Sequence, residues 1–105
     1  VYMVNPVVKF SFPPQRGMYI NKDNMIEFVN QENIFIRSQD LKPIYHDCGQ
    51  FYWYDVSYFL KNDGNMNGYI AAYIIDELYF QDIDNESDWN ISELKYEILK
   101  RKGLL

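Results

Sequence analysis

The C-terminal end of the chain carries its strongest local signal, an amphipathic helix predicted over residues 87–102. Apolar residues recur there at helical spacing and mark the apolar face of the helix: Ile91, Leu94 and Ile98. Asn85 or Asp84 is suited to cap the first turn, and Gly103 to end the last one. A long helix that follows a series of short strands favours an α/β fold.

Short β-branched and aromatic runs, separated by turn residues, precede this helix. They predict strands at 7–12, 17–21, 25–29, 48–53, 69–75 and 77–80. The first three strands, with a turn at 22–24, resemble a β-meander more than a βαβ unit. Asp55 is placed to cap a short helix over 56–60, and the polar residues 30–33 predict a single turn. We therefore expect a few strands of a mixed sheet and a long C-terminal helix.

Composition and charge limit the class of protein. With 105 residues, 48% hydrophobic and 18% aromatic, the chain is one small domain or a piece of a larger one, and a disordered tail is excluded. The net charge of −5, with basic residues clustered only at 100–102, argues against nucleic-acid binding. Because Cys48 is the single cysteine, an internal disulfide is excluded and a reducing, cytoplasmic location is expected.

The ends of the chain and its apolar runs add two expectations. No stretch is long and apolar enough to span a membrane, and no signal peptide is recognisable. The chain begins with Val1, and its first residues already have the composition of a structured segment. We therefore expect it to be a fragment or a processed piece of a longer protein, one that exposes apolar edges and associates with itself or with other chains.

Two carboxylates, Asp82 and Asp84, lie two residues apart just before the helix. In an extended segment such residues project from the same face, so both can reach one hard divalent cation. Water or phosphate oxygens would complete its coordination. The alternative is that acids at a helix N-terminus cap the helix and offset its dipole, and spacing alone favours this second interpretation.

A polar pair, Arg37 and Gln39, lies in the middle of the chain. An arginine fork can hold a carboxylate or a phosphate through two parallel hydrogen bonds, and an amide suits polyhydroxylated ligands. The alternative is a surface arginine paired with an acid such as Asp40, and without further context this pairing is somewhat favoured.

The single histidine, His46, opens a polar and aromatic window. Its neighbours point to opposite faces of a strand and do not converge, so ligand contact or a structural role is favoured over catalysis. Gly49 allows close backbone approach, and Tyr52 can stack on a sugar ring or bond to it. Cys48 has no activating cation nearby and is interpreted as a small buried hydrophobe.

Four motifs, taken together and in order, resemble the C-terminal half of the acylneuraminate cytidylyltransferases, the CMP-sialic acid synthetase family. The similarity is greatest to the pseudaminic acid cytidylyltransferase branch and covers essentially the whole chain. The motifs are Phe12-Pro13-Pro14-Gln15-Arg16, Arg37-Ser38-Gln39-Asp40-Leu41, Tyr45-His46-Asp47-Cys48-Gly49-Gln50-Phe51-Tyr52-Trp53 and Gln81-Asp82-Ile83-Asp84. Asp-x-Asp alone would be a weak signal, whereas the ordered set is specific.

The resemblance implies a three-layer α/β/α nucleotidyltransferase fold of Rossmann-like type, of which this chain is the C-terminal portion of a single domain. Residues 7–54 would form a sheet and β-meander extension that mediates dimerisation, and 76–105 the metal-binding strand end and the C-terminal helix. The family couples CTP to a nine-carbon acidic sugar, releasing pyrophosphate with the help of Mg²⁺, for bacterial surface glycans. Homodimers or higher self-association are expected, without nucleic acid or membrane as partners.

The same resemblance implies roles for individual residues. Asp82 and Asp84 would be the catalytic, Mg²⁺-binding pair, in place of the capping role that spacing favours. The substrate would be bound by Arg37, Gln39, His46, Gly49, Gln50 and Tyr52, with His46 tuning the choice of sugar.

Some features depart from the family pattern. Cys48, Tyr54 and Asn85 stand where a small residue such as alanine, a glycine and a threonine are usual, and the family's N-terminal CTP-binding loop has no counterpart. This chain alone is therefore expected to be inactive. The alternative function, from a different class, is a non-catalytic sugar-binding or dimerisation module.

Overall fold

A computed structural model describes residues 1–65, 68 and 70–105. The strands are β1 (Met3–Lys9), β2 (Met18–Ile20), β3 (Ile26–Phe28), β4 (Tyr45–Asp47), β5 (Trp53–Tyr54) and β6 (Ile70–Ile74). The helices are α1 (Val56–Lys61) and α2 (Glu86–Arg101). The chain divides into two compact units: residues Val1–Val8 with His46–Leu105, and residues Lys9–Tyr45.

The first unit is built on a four-stranded sheet in which β1 is the central strand. Strands β4 and β5 follow one another along one edge of β1, and β5 is antiparallel to it. Strand β6 is parallel to β1, in a register that pairs Met3 with Ile70 and Val7 with Ile74. The predicted mixed α/β organisation is confirmed. Among the described residues, full burial is confined to a small core: Pro6, Val8, Cys48 and Leu99.

The first strand begins earlier than the sequence predicts, at Met3 instead of residue 7, and ends at Lys9. Proline is disfavoured inside a strand because it lacks an N–H, and Pro6 lies within β1. It falls where β1 changes partner: Met3 and Val4 pair with β5, and the Pro6 carbonyl accepts from the Cys48 amide at 3.1 Å. The missing N–H therefore costs little at this position.

Two of the predicted strands are wrong. Residues 48–52 form a loop between β4 and β5, because side-chain hydrogen bonds described below hold them in a turn. Residues 77–79 form a 3₁₀ turn, which the Asp76 side chain caps by accepting from the Leu78 amide at 2.9 Å. The predicted strand at 69–75 is confirmed over Ile70–Ile74, and Tyr69 lies outside the described residues.

The second unit, Lys9–Tyr45, contains the hairpin β2–β3, which pairs Ile20 with Ile26. The Asn21 side chain accepts from the backbone amides of Asp23 and Met25, both at 3.0 Å, and fixes the turn. The predicted turn at 22–24 and the single turn at 30–33 are confirmed, the latter as a 3₁₀ turn at Gln31–Asn33. The predicted three-stranded meander is wrong, because β1 pairs in the other sheet.

Both helices begin and end where local chemistry predicts. The Asp55 carboxylate caps α1 by accepting from the Tyr58 amide at 2.8 Å. Asn85 caps α2 by accepting from the Asp88 amide at 2.9 Å. Gly103, at φ +70°, ends α2 in the left-handed conformation that favours glycine.

The apolar face predicted for α2 is largely exposed in this chain. Ile91, Leu94 and Ile98 are 42%, 64% and 38% exposed, whereas Leu99 is buried. The face turned inward carries Leu99 with half-buried Ser92 and Lys95, because Lys95 is bound to the 77–80 turn. Within the described part of the chain, neither helix is long and apolar enough to cross a membrane.

Candidate functional site

The acidic segment at Asp82 and Asp84 runs directly into helix α2, yet neither carboxylate caps that helix. Asn85 is the cap, and the Asp88 carboxylate accepts from the Asp84 backbone amide at 3.0 Å. Asp82 is bound through its backbone carbonyl, which accepts from the Gln81 side chain at 3.0 Å. The two side chains therefore remain exposed and available, and the capping role is filled by other residues.

The carboxyl groups of Asp82 and Asp84 lie side by side. The Asp82 carboxylate raises the pKa of the Asp84 carboxyl, by charge repulsion and by sharing a hydrogen bond with it, and Asp88 adds a smaller repulsion. Repulsion between adjacent carboxylates is the situation that a divalent cation relieves, and hard oxygen donors suit Mg²⁺. The donor set therefore fits magnesium.

Asp82 and Asp84 are a pair of carboxylates rather than part of a larger acidic cluster among the described residues. Within the described residues, His, Cys, Asp and Glu form no group of three or more that could hold a metal ion. Mg²⁺ keeps several waters and is bound in many proteins by one or two carboxylates together with substrate phosphates. A pair of aspartates is therefore compatible with a metal that a phosphorylated ligand also coordinates.

The loop between β4 and β5 is organised by Asp47, a residue to which the sequence assigned no role. Its carboxylate accepts from the Gly49 amide at 2.6 Å and from the Tyr52 hydroxyl at 2.7 Å. Gly49 adopts φ +68°, a conformation in which other residues are strained. The hydrogen bond to Asp47 raises the pKa of the Tyr52 hydroxyl. The sequence signal for this turn is an aspartate two residues before a glycine.

His46 and Gln50 connect this loop to the segment that leads into the acidic pair. The Gln50 side chain donates to the Tyr79 carbonyl at 3.2 Å. The His46 ring packs edge-on against Phe80, with ring centroids 5.3 Å apart. Its Nδ1 lies 3.1 Å from the Asp47 carbonyl, which can only accept, so the contact is a hydrogen bond in the tautomer that protonates Nδ1.

Lys95 of helix α2 fixes the same segment from the other side. Its ammonium donates to the carbonyls of Glu77 at 3.1 Å and Phe80 at 2.6 Å, and lies 5.9 Å from the centre of the Phe80 ring. On a helix that carries several other charged residues, this lysine gave no sequence signal for such a role. The contacts hold the 77–80 turn, and with it the start of the acidic segment, against the helix.

A shallow cleft of about 290 Å³ lies where the loop, the turn and helix α2 meet. Gln50, Gln81 and Lys95 supply its polar groups, and aromatic side chains of the turn and helix supply much of the rest. We call residues 46–52, the end of β4 and the loop that follows it, the loop 46–52. It contains His46, Gly49, Gln50 and Tyr52, and it contacts the residues just before Asp82 and Asp84.

Arg37 and Gln39 belong to the unit Lys9–Tyr45 and are described within it. The Arg37 side chain is 71% exposed and its Nε lies 3.0 Å from the Asp40 carboxylate, so the surface ion pair weighed as an alternative is present. Gln39 lines a cleft of about 320 Å³ together with Gln15 and Lys42. Both side chains remain accessible to a ligand.

Cys48 is buried, as its interpretation as a small hydrophobe requires. Burial raises the pKa of the thiol, and the neighbouring Asp47 carboxylate raises it further. Both effects disfavour the thiolate, so this cysteine is unsuited to nucleophilic catalysis.

The chain is similar in sequence to known enzymes of one class. No family model matches the chain. Among curated proteins, the chain is similar to cytidylyltransferases. It is 28% identical over 90 residues to the pseudaminic acid cytidylyltransferase of Campylobacter jejuni subsp. jejuni serotype O:23/36, and equally so to that of serotype O:2. Each match covers 86% of this chain and 39% of the relative, so the chain spans well under half of their length. The resemblance inferred from the motifs is confirmed.

Proposed function

We propose that this chain supplies the metal- and sugar-binding portion of a nucleotidyltransferase that couples CTP to a nine-carbon acidic sugar, with pseudaminic acid as the preferred substrate. The similarity over 86% of the chain to two pseudaminic acid cytidylyltransferases carries the proposal. In this reaction a sugar hydroxyl attacks the α-phosphorus of CTP, a new P–O bond forms, and the bond to pyrophosphate breaks.

Asp82 and Asp84 are proposed to hold Mg²⁺, with CTP oxygens and water as the remaining ligands. When bound, the ion would offset the negative charge of the triphosphate and of the departing pyrophosphate. The adjacency of the two carboxylates, and the fact that other residues cap helix α2, support this assignment. The residues' own task is to place a double negative charge at a fixed point at the start of the helix.

The loop 46–52 is proposed to bind the sugar through His46, Gly49, Gln50 and Tyr52. Its turn is already fixed by Asp47, so ordering it on binding costs little conformational entropy. The Tyr52 hydroxyl donates to Asp47, which leaves its oxygen free to accept from a sugar hydroxyl.

Arg37 and Gln39 are proposed to bind the acidic sugar as well, Arg37 through the sugar carboxylate. The ion pair between Arg37 and Asp40 does not oppose this assignment, because exposed ion pairs contribute little. Arg37 can exchange the monodentate contact to Asp40 for a bidentate one to the ligand.

The test is pyrophosphate release from CTP by the protein as its gene encodes it, with pseudaminic acid compared with N-acetylneuraminic acid. Asp84→Ala should lower kcat/KM at least about 100-fold, because metal charge stabilisation supplies several kcal/mol of such a barrier. Glu97→Gln, an exposed acid elsewhere on α2, is the matched control and should retain full activity.

Full activity of Asp84→Ala at saturating Mg²⁺ would contradict the metal assignment. Sugar binding without pyrophosphate release from CTP would contradict the enzymatic function and indicate a binding module. Turnover of N-acetylneuraminic acid in preference to pseudaminic acid would correct the substrate while keeping the reaction class.

A further inference from the structure

Helix α2 turns one narrow stripe of side chains toward the rest of its unit. The buried and half-buried residues of the helix are Asp88, Ser92, Lys95 and Leu99. Their spacing of three or four residues places all four on one side of the helix. Two of them, Asp88 and Lys95, make hydrogen bonds to the segment that precedes the helix. This stripe is therefore the surface through which α2 can control the position of Asp82 and Asp84.

The acidic segment is attached to the stripe at both ends. Before it, the Lys95 ammonium donates to the Phe80 carbonyl at 2.6 Å, two residues ahead of Asp82. At its end, the Asp88 carboxylate accepts from the Asp84 amide at 3.0 Å. A short segment that is held at both ends by one helix has lost much of its conformational freedom before any ligand binds.

The attachment through Lys95 is the stronger of the two. Its ammonium also donates to the Glu77 carbonyl at 3.1 Å and lies 5.9 Å from the centre of the Phe80 ring. Hydrogen bonds from a charged donor are roughly twice as strong as neutral ones. The same ring packs edge-on against His46. Residue 80 is therefore held to the helix by Lys95 and to the loop 46–52 by His46.

This attachment matters because the two carboxylates repel each other. Repulsion between Asp82 and Asp84 is present in the folded chain. In a segment free to move, it would favour conformations that separate the carboxylates. A cation would then have to bring them together again, at the expense of its affinity. An attachment that keeps them together in advance removes part of that cost.

We propose that Lys95 is a positioning residue for cation binding by Asp82 and Asp84. It supplies no ligand atom, and it holds the segment so that both carboxylates reach one ion. This inference rests on the metal assignment proposed above. The direction of the effect separates positioning from charge. A nearby positive charge by itself opposes cation binding, so its removal would tighten binding, whereas loss of positioning weakens it.

The test is Mn²⁺ titration of the 105-residue chain, followed by paramagnetic broadening of the amide NMR signals of residues 81–85. Lys95→Met keeps an apolar stem and removes the ammonium. It should weaken Mn²⁺ binding about tenfold, the lower end of the loss caused by removing residues that orient metal ligands. Lys100→Met is the matched control, because it removes an exposed cation from the last turn of the same helix. It should not weaken binding.

Two further variants separate positioning from general destabilisation. Lys95→Gln is neutral, like Lys95→Met, but keeps two N–H donors. It should bind Mn²⁺ more tightly than Lys95→Met, and its comparison with the wild type carries the test if Lys95→Met does not fold. Leu99→Val removes a methylene from the buried end of the stripe. It should lower the urea midpoint but leave the Mn²⁺ affinity of the folded chain unchanged.

Mn²⁺ binding by Lys95→Met that is unchanged or tighter would overturn the positioning role and leave the metal assignment intact. Equal weakening by Leu99→Val would also overturn it, because loosened packing of α2 would then be the cause. Absence of Mn²⁺ binding in the wild type would contradict the metal assignment and this inference with it. Failure of pyrophosphate release beside the expected Mn²⁺ affinities would contradict the enzymatic function alone and support the role of Lys95.

Discussion

The loop at residues 46–52 and the acidic segment at residues 81–84 belong to the same unit but differ in whether their polar side chains are paired within the chain. In the loop, polar groups are paired within the chain: Asp47 accepts from Gly49 and Tyr52, and Gln50 donates to Tyr79. In the acidic segment, Asp82 and Asp84 face each other as like charges. The loop is stabilised by its own hydrogen bonds, whereas a positive charge would stabilise the acidic segment.

In the proposed site, the loop therefore contributes a fixed conformation and the acidic pair contributes negative charge. The loop can be rigid before any ligand arrives, so its contribution to binding is pre-organisation. The carboxylates of the acidic pair repel each other, and a bound cation or a proton relieves this repulsion. Variants in the two regions should therefore fail in different assays, and the following predictions test that division.

Removal of the acidic pair is expected to have the largest effect, on cation binding and not on stability. Mn²⁺ titrated into the chain should broaden the amide NMR signals of residues 81–85. Asp82→Asn combined with Asp84→Asn should weaken this binding at least about 100-fold, since loss of outer-shell partners alone costs 10–100-fold. Glu32→Gln combined with Glu97→Gln removes the same charge elsewhere and should change little. Equal broadening in both double variants would contradict a site at the acidic pair.

Removal of the Asp47 carboxylate is expected to have an intermediate effect, on stability and not on cation binding. Asp47→Ala eliminates the bonds from Gly49 and Tyr52 and should lower the free energy of unfolding by about 1–2 kcal/mol, measured by urea denaturation. Asp47→Asn retains an acceptor and should lose about half as much. If Asp47→Ala unfolds at the wild-type urea concentration, the loop is not held by this carboxylate.

The smallest effect concerns the thiol of Cys48, next to the loop. Because burial and Asp47 raise its pKa, less thiolate is present at a mildly alkaline pH than for a free cysteine. Alkylation by iodoacetamide should be roughly tenfold slower in the folded chain than in urea. Asp47→Asn should speed the reaction of the folded chain only slightly, because burial is the larger cause. Equal rates in the folded and unfolded chain would show that the thiol is accessible.

The ends of the elements could be predicted from the sequence because they depend on residues close together in the chain. Asn21 fixes the hairpin turn, Asp55 and Asn85 cap the helices, and Gly103 ends the last one. The three polar residues each use one side chain and a backbone group within four residues, and Gly103 uses its own backbone conformation. Such chemistry is visible in a short window of sequence.

Features that depend on distant residues were not predictable in the same way. Strand β1 begins at Met3 because it pairs with three other strands, and Lys95 holds the turn at 77–80 from a distant part of the chain. The inward face of α2 follows from the Lys95 contacts, although Ile91, Leu94 and Ile98 have the stronger apolar pattern. The spacing of apolar residues indicates which side of a helix could be buried. It does not indicate which side other parts of the chain pack against.

In the candidate site, too, features that depend on residues close in sequence could be predicted, and those that depend on distant residues could not. The placement of Asp82 and Asp84 together follows from their spacing, and the polar window around His46 was evident from its composition. The role of Asp47 in the loop depends on Tyr52, five residues away, and the role of Lys95 depends on residues 15 and 18 positions earlier. Lys95 lies outside the four motifs, and Asp47, although it lies within the third, was given no role of its own from the sequence.

Few substitutions of Lys95 would keep its contacts with the 77–80 turn. Two carbonyl oxygens converge on one ammonium group beside an aromatic ring, a geometry suited to a compact point charge. A guanidinium is planar and broader, and a glutamine has fewer donors to direct at both oxygens. Exchange of Lys95 for arginine, conservative by charge, is therefore not conservative at this position.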